Sequence, residues 1–228
     1  MLNNIKKELS KLKNQEKARI LSNFFKTKKG EYGYGDIFLG LTSDQIKEVA
    51  KKYVNIDLKE LQELIGSKIH EERVASLRIL VHKFKKNRKE IFDFYLKNTR
   101  NINNWDLVDL SAPNIVGNYL IDKDRNILYK LAKSDILWEK RIAIISTFSF
   151  IRNNQFEDTL KISEILLKDK HDLIHKAVGW MLREIGKKDQ NIEEEFLKKH
   201  YKEMPRTMLR YAIEKFSPEK RKFYLSKN

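Results

Sequence analysis

One helical pattern returns in this chain about every 34 residues, and that constrains the fold more than any other feature of it. Apolar residues with helical spacing begin near Trp105, Trp138, His171 and Pro205, in "NNWDLVDLSAPNIVG", "ILWEKRIAIISTFSFIR", "HDLIHKAVGWMLREIG" and "PRTMLRYAIEKF". Shorter helical stretches lie between them: "DRNILYKLAKS", "FEDTLKISEILLK" and "NIEEEFLKKHYKEM". A pair of helices cannot bury its apolar face alone, so neighbouring pairs must stack. The spacing therefore predicts an all-α chain, a curved α-solenoid whose concave surface is formed by one helix of each pair. No linker or composition shift divides it, so one domain is expected over residues 1–228.

The first hundred residues carry the same signals. "SDQIKEVAKKY" (43–53) is expected to be capped by its Ser, and Asp57 with Glu60 opens "LKELQELIG" in the manner of a capping box. "EERVASLRILVHKF" reads as a helix. No convincing strand pair is present. The loop-like stretch "KKGEYGYGDIFLG" (28–40) holds four glycines, but it lacks the G-x-G-x-x-G spacing and no strand precedes it, which argues against a dinucleotide site.

Charge points to the kind of partner. Lys and Arg number 47 against 32 Asp and Glu, a net charge of +15. Part of the lysine content is what an AT-rich genome encodes, but codon bias alone leaves acids to balance it. Such an excess is the electrostatic footprint of a polyanion partner, usually nucleic acid. Hydrophobic residues make up 41%, enough for a folded chain. The absence of Cys excludes a disulfide framework, a thiolate metal site and a Cys nucleophile. No apolar run approaches the roughly 20 residues of a membrane span, and "MLNNIKKELSKLKNQEK" lacks a signal-peptide core. A soluble cytoplasmic protein is expected.

A few residues sit where packing alone would not put them. Trp105 and Asp109 are four apart, on one face of a helix that Asn104 would cap and Asp106 would favour from its first turn. On a helical wheel Asp109 falls inside the apolar arc of Val108, Ala112, Ile115, Val116 and Tyr119. A carboxylate there must be paired or functional. Pro113 withholds an N–H from the Asp109 carbonyl, so a kink or break is expected. Arg141 lies among apolar residues of the 137–152 helix and needs an anion: Asp109 one repeat earlier, or a phosphate. Trp180 lies at the edge of its helix beside Lys176 and Arg183, either as a packing residue or as a binding platform. Gly179 next to it would admit a close approach by another backbone or a ligand. His171 and His175 are spaced as in H-E-x-x-H, but "HDLIH" lacks the Glu and a third ligand, so helix capping or phosphate contact is expected rather than a metal site. The basic clusters "KFKKNRK" (83–89), "GKKD" (186–189) and "PEKRK" (218–222) lie near helix ends. No recognition helix, zinc finger or RNA-binding aromatic motif is visible.

"NNWDLVDLSAPNIVG", "WEKRIAIISTFSFIR", "KHDLIHKAVGWMLREIGKKD", "MPRTMLRYAIEKFS" and "GEYGYGDIFLGL" together resemble the DNA alkylation repair (AlkD-like) DNA glycosylases over most of the chain. The resemblance implies HEAT-like helical repeats around duplex DNA containing alkylated bases. It also implies hydrolysis of the N-glycosidic bond of cationic alkylpurines such as 3-methyladenine and 7-methylguanine, for base excision repair. The catalytic Asp of the family falls on Asp109, its aromatics on Trp105 and Trp180, its site Arg on Arg141, and DNA contacts on Arg183, with Lys176 and His175 nearby. An N-terminal aromatic falls on Phe24; some relatives carry Tyr there, so a hydroxyl contact would be absent. A monomer without metal or cofactor is implied, nucleoid-associated when on DNA. Two other readings differ in kind: a non-catalytic HEAT-like repeat protein that binds DNA structure, and a repeat adaptor for proteins.

Overall fold

In the computed structural model, which describes residues 1–226, the chain is all-helical, with a single isolated β-bridge between Ile37 and Ile69 and no strand among the described residues. No helix of the described residues is long and apolar enough to cross a membrane. Contacts gather the chain into two compact units, Met1–Ser111 and Ala112 onward.

The first unit holds α1 (Leu2–Lys11), α2 (Gln15–Phe24), α3 (Ser43–Lys52), α4 (Leu58–Ile65), α5 (His70–Phe84), α6 (Arg88–Lys97) and most of α7 (Trp105–Ala112). α5 is its axis and packs against α3, α4 and α6. Val74, Ala75, Leu77, Ile79, Leu80 and Phe84 are buried around α5 rather than along one stripe, as a central helix requires. The start of α3 differs from expectation: Thr42, not Ser43, is the cap. The Thr42 hydroxyl accepts from the Gln45 N–H at 3.3 Å, while the Gln45 side chain accepts from the Thr42 N–H at 2.8 Å. Asp57 caps α4 at the Glu60 N–H, but Glu60 does not complete the box. Its carboxylate turns to α1, accepting from the Met1 ammonium at 2.7 Å and the Leu2 N–H at 2.9 Å.

The second unit continues with α8 (Asn118–Leu120), α9 (Asn126–Ala132), α10 (Leu137–Ser146), α11 (Phe148–Arg152), α12 (Glu157–Leu166), α13 (Asp172–Gly186), α14 (Gln190–His200), α15 (Arg206–Ala212) and α16 (Pro218–Ser226). α10 packs on α13 and α13 on α15, while α9, α12 and α14 take the second place in each pair. The step read from the sequence is the step at which these helices stack.

One long helix expected from the pattern is divided, and a second breaks at its proline as expected. Residues 137–152 divide at Thr147 into α10 and α11. The hydroxyls of Ser146 and Thr147 donate to the carbonyls of Ile142 (2.6 Å) and Ile144 (2.7 Å), which competes with the helical ladder and bends it. The segment from Trp105 to Leu120 is interrupted by a π-helical turn, Pro113–Gly117, where the proline cannot donate. The Ser149 hydroxyl donates to the Pro113 carbonyl at 2.7 Å. Val108, Ala112, Ile115 and Val116 are buried as the wheel predicts, whereas Tyr119 and Asp109 are only half-buried.

Candidate functional site

A cavity of about 540 Å³ opens in the first unit between α2, α5, α7 and the loop before α3. Trp105 and Asp109 both line it, one turn apart on α7. Phe24, 59% exposed at the end of α2, stands edge-on to Trp105 with ring centroids 5.9 Å apart. The Trp105 ring stacks on Phe25 (5.2 Å), and Phe25 on Phe38 (5.1 Å). Phe38 stacks in turn on the imidazole of His70 (4.6 Å). Three residues selected from sequence, Phe24, Trp105 and Asp109, therefore meet at one aromatic-walled cavity.

The support of that wall comes from residues that no sequence pattern singles out. His70, 2% exposed, lies between two carboxylates: Nε2 is 2.8 Å from Asp106 Oδ2 and Nδ1 is 3.3 Å from Asp36 Oδ2. Arg73 meets the same Asp36 oxygen at 2.6 Å and donates to the Ser67 carbonyl at 2.7 Å. Burial opposes a charge on His70, but the hydrogen bonds to Asp106 and Asp36 outweigh it and raise its pKa above the ordinary imidazole value. Burial likewise works against the Asp36 carboxylate, and the bonds from His70 and Arg73 hold its pKa below the usual range. Asp106 is thus more than a first-turn acid: its bond to His70 ties the start of α7 to the start of α5. Next to His70, Glu71 accepts from the N–H groups of Leu39 (2.9 Å), Gly40 (2.8 Å) and Leu41 (3.3 Å), fixing the loop that closes the cavity. Gly40 has φ +86°, and a Cβ there would fall 2.2 Å from the Asn14 carbonyl, so only glycine allows this loop to reach α2. The polar run "HEER" heading a largely apolar helix was the available signal.

The other residues selected from sequence lie in the second unit. Arg141, 5% exposed, donates to the Leu173 carbonyl at 2.6 Å. Trp180 is half-buried on α13, 5.7 Å from Phe148, and its indole N–H donates to Glu184 at 3.1 Å. Arg183 pairs with Glu214 and lies 3.6 Å from Glu184. Lys176 pairs with Asp172 at 2.7 Å. His171 caps α13, its Nδ1 accepting from the Leu173 N–H at 3.1 Å, as expected of it. His175 Nε2 donates to the Asp169 carbonyl at 2.5 Å. Among the described residues no group of His, Asp and Glu has the arrangement of a metal site.

The fold and the chain have known relatives. A solved protein described as a predicted DNA alkylation repair enzyme from Enterococcus faecalis superposes with a TM-score of 0.72 at 16% identity, covering 90% of this chain and 97% of that one. AlkD2 from Streptococcus mutans superposes with a TM-score of 0.58 at 18% identity, over 95% of this chain and 97% of its own. At these identities the likeness shows the helical-repeat fold. No curated protein matches the chain. The family model for DNA alkylation repair enzymes matches residues 5–216, nearly the whole length, and the chain belongs to that family.

Proposed function

We propose that this chain is a monofunctional DNA glycosylase that hydrolyses the N-glycosidic bond of cationic alkylated purines in duplex DNA. The observation that carries the reading is the placement of Trp105 and Asp109 one turn apart at an aromatic-walled cavity, with Phe24 against Trp105. Membership of the DNA alkylation repair family supports it.

The chemistry suits these groups. A purine alkylated at N3 or N7 carries a positive charge and leaves as a neutral base once its bond to C1′ breaks. Such a leaving group needs no protonation, metal or cofactor. As the bond lengthens, positive charge develops on the deoxyribose. A carboxylate already in place stabilises that charge without reorganisation. Water attacks C1′, and Asp109 takes its proton as the new C–O bond forms. The products are the free base and an abasic site, with the strand intact. The faces of Trp105 and Phe24 attract the cationic base and the C–H edges of the sugar.

In the second unit the reading gives Trp180 the role of a further aromatic contact, and gives Arg183, Lys176 and His175 contacts to the DNA backbone. Arg141 is too buried for a surface phosphate clamp, and its role is to set the local field and order the residues around it. The reading treats the chain as one domain acting as a monomer.

The test is release of 3-methyladenine and 7-methylguanine from methylated duplex DNA. Asp109→Asn is expected to lower the rate by about 10²–10⁴ while duplex binding persists. Unchanged release by the variant, or no release by the unmodified protein, overturns the reading.

A further inference from the structure

We propose that His70 is a positioning residue for the face of α7 that carries Trp105 and Asp109: its imidazolium, clasped between Asp106 and Asp36, fixes the start of that helix. The importance of that face for base release rests on the glycosylase reading. The clasp rests on geometry within the first unit.

Both ring nitrogens of His70 face a carboxylate oxygen, Nε2 that of Asp106 at 2.8 Å and Nδ1 that of Asp36 at 3.3 Å. An ionised carboxylate only accepts, and a neutral imidazole donates from one nitrogen alone. The imidazolium satisfies both sides. The charges then balance, His70 and Arg73 against Asp36 and Asp106. Charges out of water are tolerable when they are paired in this way. Loss of the proton turns a ring lone pair towards one carboxylate and leaves the cluster with an uncompensated negative charge.

The start of α7 leans on this clasp. Asn104 accepts from the Trp105 N–H at 2.8 Å, the first of the helix, where a cap accepts from the second or third, and its own amide nitrogen is buried without a partner. Asp106 Oδ1 is also buried without a partner, so the side chain is held through Oδ2 and His70. The same imidazole reaches Trp105 by a second route. It lies 5.0 Å from the Phe25 ring and 4.6 Å from that of Phe38, and Phe25 stacks on Trp105 at 5.2 Å. One side chain therefore holds the residue after Trp105 by a hydrogen bond and the Trp105 ring by a stack. Asp109 follows one turn on.

The clasp is sensitive to pH. The charged groups facing His70 are Asp106 from α7, Asp36 from the loop before α3, and Arg73 from α5 itself, 3.4 Å from Nδ1. The end of α2 and the loop present the Phe25 and Phe38 rings. Glu71 is engaged by the N–H groups of Leu39, Gly40 and Leu41, and Glu72 lies 3.8 Å from Lys6 of α1. Burial and Arg73 oppose the charge on His70, and the bonds to Asp106 and Asp36 outweigh them. The clasp is therefore closed below a raised imidazole pKa and released as pH climbs through it.

The test combines imidazole nitrogen NMR on the full chain with single-turnover base release from methylated duplex, both across pH. Both nitrogens of His70 are expected to stay protonated until a midpoint above that of a free imidazole, with the Trp105 indole resonance following the same titration. Release by the unmodified chain should fall over that pH range. His70→Gln is expected to slow release by about 10- to 100-fold with duplex binding retained, and to remove that pH dependence. A merely structural His70 would not couple the Trp105 resonance or the pH profile to its own proton. Should His70→Gln fail to fold, which a thermal melt shows, Asp106→Asn cuts the same tether from the α7 side and is expected to slow release likewise. A His70 that titrates as a free imidazole, a Trp105 resonance that ignores it, or a folded variant with unchanged rate and pH profile overturns the inference. No release by the unmodified chain overturns the glycosylase reading instead, and the two resonances then decide the clasp.

Discussion

At the scale of single residues, Glu193 links burial to stability. Its side chain is 1% exposed, Oε1 has no hydrogen-bond partner, and burial pushes its carboxyl from an ordinary value of 4.5 up to about 9. The neighbouring Glu194 adds to the rise and Arg183 opposes it. A group with a raised folded-state pKa contributes stability fully below its unfolded pKa and loses that contribution as pH rises through the folded value. Glu193 should therefore drain stability between about pH 4.5 and 9. Glu193→Gln is expected to flatten that dependence and to stabilise the protein by about 1–3 kcal/mol at pH 8. Urea unfolding at pH 5 and pH 8 checks it, and equal pH dependence in the two proteins would refute the assignment. Legibility at this scale was uneven for a physical reason. Trp105 and Asp109 could be read because periodicity reveals which residues share a helix face. The partners of His70 could not: Asp36 and Asp106 lie 34 and 36 residues away in sequence, and no periodicity relates a helix start to a loop and another helix. Asp106 looked like a plain first-turn acid because its partner comes from another element.

Among the elements, α13 shows how one residue sets a packing distance. Gly179 sits mid-helix, where glycine costs about 1 kcal/mol relative to alanine. A Cβ there would lie 2.4 Å from the Met208 carbonyl and 2.5 Å from the Tyr211 Cβ, so the glycine lets α13 and α15 approach closely. Gly179→Ala is therefore expected to destabilise by about 1–3 kcal/mol despite its better helix propensity. Chemical denaturation that found the variant more stable would show that α15 yields easily. This close approach was foreseeable from a glycine inside a helical pattern, although which backbone approaches was not. The repeat step was legible because stacking helix pairs demand a regular apolar face. The breaks at Thr147 and Pro113 were hidden to different degrees. Proline announces itself by its missing N–H, and the structure answers with a π-helical turn. The division at Thr147 depends on which carbonyls the Ser146 and Thr147 hydroxyls choose, and the apolar pattern runs on through it.

For the whole molecule, charge is the property that links sequence to partner. The excess of +15 is divided almost evenly between the two units, so neither alone accounts for it. Members of a DNA alkylation repair family meet a polyanion, and binding to one releases condensed counterions in proportion to the phosphates neutralised. Log affinity for unmodified duplex should then fall linearly with log salt. Between 50 and 200 mM salt the expected loss is about 10²–10⁴, as for four to seven phosphate contacts. The slope also locates the contacts. Neutralising the lysines of "KFKKNRK" in the first unit, or of "PEKRK" in the second, should lower it by about 1 for each lysine that meets a phosphate, and by nothing for those that are merely solvated. Fluorescence anisotropy on a labelled duplex, repeated across salt for the unmodified chain and both cluster variants, gives these slopes. A flat salt response would mean that the positive charge serves solubility and that DNA is held by other means. A slope lowered by only one of the clusters would assign the DNA track to that unit.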